Sequence, residues 1–162
     1  MKNWPKRVTI DWLKRPNKKC DGVPNAHAVV EAGLTDRIPS NILCEFLAIT
    51  DDDGITTLHN ICRYEEPLKS VKQFLTPELL TKETSGQLLT GTPLEWAFRS
   101  EQQDNLPWER FNARRWVPHL PLLEKIKAGL VRNNGGKHGE LDDLIRRVKK
   151  LRTLKKDSGI EQ

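Results

Sequence analysis

The chain has 162 residues, a formal net charge of +5 and 36% hydrophobic residues. That length suits one domain, or one domain with an appendage, and the ordinary apolar and charged fractions exclude disorder throughout. No stretch approaches the ~20 apolar residues of a membrane span, and the basic first seven residues lead into no apolar signal core. Three cysteines, Cys20, Cys44 and Cys62, fit a reduced cytosol better than a disulfide framework, so a cytoplasmic chain is expected.

Charge is unevenly placed. Residues 1–20 carry seven Lys/Arg against Asp11 alone, residues 21–112 carry seven against fifteen Asp/Glu, and residues 113–162 carry thirteen against six. An acidic middle between basic ends bears on partners more than the total does. The middle predicts a protein partner with a basic surface; the ends read first as solvated helices and arms, with an anion-seeking tail or ends that fold back on the middle as the alternatives.

In chain order, residues 1–20 read as a basic N-terminal cap or arm, with Val8, Ile10, Trp12 and Leu13 laid on the first unit of the adjoining segment. Residues 21–118 form the body. Short helices are predicted over 26–32 and 58–64, with second helices over 39–49 and 68–80. In the last of these Leu68, Val71, Leu75 and Leu79 recur three or four apart, giving one apolar face.

The body repeats itself. His27 and His59 lie 32 residues apart, and at the same offset Leu43 meets Leu75, Leu47 meets Leu79 and Gly54 meets Gly86. A third lead-in, Gly91-Thr92-Pro93-Leu94-Glu95, comes 36 residues after the second, residues 87–90 making up the difference. Each residue type has a local reason. Gly54 after Asp51-Asp52-Asp53 suits a turn with positive φ. Thr56 can cap the helix it opens. Pro93 fits the first helical position, and Thr92 with Glu95 forms a capping box. His27 and His59 are expected to be structural, bonding the turns of neighbouring units.

These lead-ins resemble the ankyrin repeat, G-x-T-P-L-H-x-A, with a period near 33. Thr92-Pro93-Leu94 matches most closely and Thr56-Thr57-Leu58-His59 next. Pro24-Asn25-Ala26 departs from the pattern in the first copy, and Glu95 in the third. The resemblance implies an all-α, ankyrin-like helical solenoid of about three repeats over residues 20–112, with a capping N-terminal segment and C-terminal helices. It also implies a non-enzymatic protein-interaction module whose partners dock on turn tips and first helices. The carboxylates of Asp51, Asp52 and Asp53 at the tip, with Glu65 and Glu66 beyond the next helix, are the candidate partner-binding groups.

Leu106-Pro107 echoes Ile38-Pro39 and suggests a second helix for the third unit. Residues 119–162 read as a basic helical extension: a helix over 121–132, a break at Asn133-Asn134-Gly135-Gly136, and a last helix over 140–155. Leu141, Leu144, Ile145, Val148, Leu151 and Leu154 form one stripe of that helix. Its basic face supports an alternative reading, nucleic-acid binding through Arg114, Arg115, Arg146, Arg147, Lys149 and Lys150. No catalytic constellation emerges. His59-x-x-Cys62 lacks zinc-ligand spacing, and no cofactor, metal or small-molecule substrate is expected.

Overall fold

The computed structural model describes residues 4–86, 89–100, 106, 108, 111–134 and 139–157. The chain divides into two compact units, Met1–Leu106 and Pro107–Gln162. Regular secondary structure among the described residues is helical, with two isolated β-bridges and no strand. None of these helices is long and apolar enough to cross a membrane.

In the first unit, Thr9 opens α1 (Ile10–Lys14) by accepting the Trp12 N–H at 3.2 Å. Leu13 is fully buried where α1 packs on α2 (Asn25–Glu31) and α3 (Leu43–Leu47). The Asn25 side-chain amide donates to the Trp12 carbonyl at 2.8 Å, tying α2 to that arm. Ala26, Ala28, Val29 and Val30 are all buried, so most of α2 is packed against its neighbours, with Glu31 at its end exposed. It ends at Gly33, whose φ of +71° lets the Gly33 and Leu34 N–H groups bond the Val30 and Val29 carbonyls, each at 3.0 Å. On α2 packs α4 (Thr57–Ile61), and on α4 packs α7 (Pro93–Arg99).

The predicted second helices are more broken than their apolar spacing suggests. Residues 39–49 contain a 3₁₀ turn at Ser40–Ile42 before α3. Residues 68–80, expected as one helix, are α5 (Glu65–Val71), a 3₁₀ turn at Lys72–Phe74, and a separate α6 (Pro77–Leu80). The cause is local. Pro77 excludes helical geometry from Thr76, which is extended at φ −129° and ψ 157°. From there the Thr76 hydroxyl accepts the Leu79 N–H at 3.3 Å and starts the helix afresh.

The three loops that lead into α2, α4 and α7 share a closing bond. Asn17 donates to the Val23 carbonyl at 2.7 Å, Asp51 to Ile55 at 3.1 Å and Thr84 to Gly91 at 3.2 Å. In the first two a further backbone bond runs alongside, Asn25 to Arg15 at 2.8 Å and Thr57 to Ile49 at 2.9 Å. Pro93 stands at the corresponding place in the third and has no N–H to give.

The second unit contains α8 (Ala113–Trp116), α9 (Leu120–Asn134) and α10 (Gly139–Asp157). Trp116 is fully buried, its ring centroid 5.3 Å from that of Phe111 and 6.4 Å from that of Trp108. Trp108, Phe111 and Trp116 belong to the second of the two units. The second helix expected to start at Leu106-Pro107 lies largely outside the described residues. Leu141, Leu144, Ile145 and Val148 of α10 are buried against α8 and α9, whereas Leu154 near its end is 56% exposed.

Candidate functional site

The loop tip before α4 is built around one carboxylate. Asp51 Oδ1 accepts the Asp53 and Ile55 N–H groups at 2.9 and 3.0 Å, while its Oδ2 stands 4.0 Å from His27 Nδ1. Asp51 is therefore a structural turn residue, half-buried. Asp52 and Asp53 are exposed, and the Asp53 carbonyl accepts the Ser85 and Gly86 N–H groups at 2.9 and 2.8 Å. Close approach fixes two glycines here. A Cβ on Gly54, whose φ is +72°, would stand 2.7 Å from the Ser85 nitrogen, and one on Gly86 would stand 2.9 Å from Asp53 Cβ.

Histidines hold the tips. His27 Nε2 reaches the Ile49 carbonyl at 3.3 Å, and His59 Nε2 reaches the Gly91 carbonyl at 3.0 Å. His59 Nδ1 accepts the Thr56 N–H at 3.0 Å, which places the proton on Nε2 and makes that nitrogen the donor to Gly91. The Thr56 hydroxyl in return accepts the His59 N–H at 3.2 Å, completing a capping box with histidine in the third helical position. Trp96 seals the ring edge-on at 4.9 Å between centroids. Burial lowers the pKa of His59 to about 4, against the opposing pull of its bond to Gly91. Burial also lowers that of His27, opposed by its bond to Ile49 and by Asp51. Both rings are neutral parts of the scaffold at neutral pH. Cys62 is wholly buried, which raises its thiol pKa far above the ordinary value. Cys20, Cys44 and Cys62 are all free thiols.

The other acidic candidates lie elsewhere. Asp51–Asp53 precede α4, whereas Glu65 and Glu66 open α5 beyond its far end. The Glu65 side chain lies outside the described residues. Glu66 is exposed and lines a cavity of about 200 Å³ with Gly33, Thr35, Asp36, Pro67 and Ser70. No motif announces that cavity, because Asp36 and Glu66 are 30 residues apart and only the packing of α5 on Thr35–Arg37 joins them.

A larger cavity of about 620 Å³ opens between the Trp12 arm and α2, with Arg15, Lys18 and Lys19 on its wall. The surplus of basic residues in the first 20 was its signal.

The six basic candidates are in the second unit. Arg146 and Arg147 both pair with Asp143, the latter at 3.4 Å, and Lys149 pairs with Glu124 of α9 at 3.1 Å. Lys127 and Asp142 add a second α9–α10 pair at 2.7 Å. Arg114, Arg115 and Lys150 are exposed. At least three of the six cations proposed to meet phosphates thus pair with carboxylates of their own unit. Among the described residues no group of three or more His, Cys, Asp or Glu side chains is placed to hold a metal ion.

Comparison with protein-family models, with curated proteins and with solved structures finds no match to this chain.

Proposed function

We propose that this chain is a non-enzymatic interaction module of ankyrin-like repeats that docks a protein with a basic surface through its exposed carboxylates. One observation carries the reading: His27 and His59, 32 residues apart, each bond the carbonyl of the next loop along the chain. Loops held in this way are preordered, so a partner meeting them loses little conformational freedom on binding. Asp52 and Asp53 stand on the tip so fixed. Asp51, bonded to its own loop and facing His27, belongs to the support and not to the contact surface. The free thiols suit a reducing, cytoplasmic setting.

The test is capture of partners from a host lysate, after nuclease treatment, on the full chain and on a variant carrying Asp52→Lys and Asp53→Lys. The variant keeps wild-type helicity and loses the captured proteins. Identical capture by the two refutes the reading. The nucleic-acid alternative is weakened by the pairs that engage Arg146, Arg147 and Lys149. A gel shift at low salt that disappears on replacing Lys150, Arg114 and Arg115 by Ala would restore it.

A further inference from the structure

We infer that the cavity between the Trp12 arm and α2 binds a small molecule in which a flat aromatic ring carries a phosphate monoester, a function separate from the docking of a protein on the Asp52–Asp53 tip. At about 620 Å³ the cavity lies within the size range of small-molecule sites. Its lining combines one aromatic residue, Trp12, with Arg15, Lys18 and Lys19 and with a single carboxylate residue, Glu31. Three positive charges and one negative leave a balance of two positive charges. A phosphate monoester, at about −1.5 to −2 near neutral pH, matches that balance, whereas a lone carboxylate meets half of it.

These cations are uncommitted. Among the described residues Arg15, Lys18 and Lys19 form no ion pair, not even with Glu31 of α2, in contrast to Arg146, Arg147 and Lys149 of α10. The loop that carries the two lysines is bonded around Asn17. Its N–H donates to the Val23 carbonyl at 2.7 Å, its carbonyl accepts the Cys20 and Gly22 N–H groups at 3.1 Å each, and its Oδ1 accepts the Lys19 N–H at 2.9 Å. Successive lysines held in a fixed loop repel each other, an anion relieves that repulsion, and a fixed loop loses little freedom when it binds. Trp12 is half-buried, and Trp4 packs against it with ring centroids 5.7 Å apart at 67°, which restrains the indole. An indole is a platform for a flat ring. Single strands of nucleic acid stack successive bases on several aromatics, and this lining has one among the described residues, which fits a single ring system.

The experiment titrates the full chain by calorimetry at low salt with adenosine monophosphate and with flavin mononucleotide, alongside adenosine, riboflavin and inorganic phosphate. Expected is binding of at least one nucleotide that is ~10-fold tighter than that of its phosphate-free form and of phosphate alone. Lys18→Ala with Lys19→Ala, both on exposed residues, weakens that binding ~10-fold, and Glu31→Gln tightens it several-fold. Arg114→Ala with Lys150→Ala, in the second unit, leaves it unchanged. Cys20, half-buried on the same lining, reports the position: saturating nucleotide slows its alkylation by iodoacetamide, while exposed Cys44 reacts as before. No binding of either nucleotide overturns the proposal. So does phosphate that binds as tightly as nucleotide, affinity indifferent to Lys18 and Lys19, or a Cys20 that stays unprotected. The Asp52→Lys, Asp53→Lys variant binds nucleotide as the wild type does even where it loses its captured proteins, so the two readings fail separately.

Discussion

Acid should loosen the first unit through His59. Unfolded, the ring takes its proton near 6.5; folded, burial holds that event down to about 4. Between those values the unfolded chain binds more protons, so falling pH favours it. The stability owed to a neutral ring is complete above about 6.5 and is lost as pH falls towards 4. Linkage over that interval gives ~2 kcal/mol lost between pH 7.5 and 5.0 from this residue. His27 adds a loss of the same sign. Geometry agrees, because a proton on Nδ1 would face the Thr56 N–H 3.0 Å away. Urea unfolding at the two pH values measures the loss, with His59→Gln as the control whose pH dependence is smaller. Proton NMR of the wild-type ring supplies an independent reading even where the variant fails to fold. A His59 resonance that titrates near 6.5, or a control as acid-sensitive as the wild type, refutes the reasoning.

Packing sets two further outcomes. Gly54→Ala should lower stability by ~2–4 kcal/mol, since it adds a clash with the Ser85 backbone to a left-handed φ. Gly22→Ala, at φ +79° with open space around it, should lose only about 1 kcal/mol; equal losses in denaturant titrations would refute the close approach. Trp116→Ala should cost ~3–5 kcal/mol in the unfolding of the second unit. Trp116→Phe should cost much less, because the indole N–H has no hydrogen-bond partner among the described residues. Comparable melting curves for the two would contradict the assigned core.

The first helices and their caps were legible in the sequence because they depend on neighbours. Thr56, Thr92, Pro93 and Gly54 do what short-range chemistry predicts, and α2 and α4 start within a residue of expectation. The segment 68–80 misled because apolar spacing of three and four continues across a boundary that periodicity does not register. Thr76-Pro77 was the available sign, the same pair that opens α7 at Thr92-Pro93. At the loop tip, sequence reading grouped Asp51, Asp52 and Asp53 without seeing that Asp51 bonds its own turn, a role set by loop geometry and by His27 of α2. The pairing of Lys149 with Glu124 and the meeting of Asp36 with Glu66 depend on how separate helices pack, which no local pattern encodes.

The proline at position 93 bears on how such a chain can grow. Among the described residues its loop is closed by one backbone rung, Thr84 to Gly91, where the two earlier loops have two. Extra length costs a doubly fastened hairpin its register, but a singly fastened one can bulge. The four residues by which this lead-in exceeds the one before it, 87–90, fall between Thr84 and Gly91 in the chain. Side chains take over part of the fastening there: the Thr84 hydroxyl donates to the Leu89 carbonyl, and Trp96 Nε1 and Arg99 Nη1 both donate to that of Thr90.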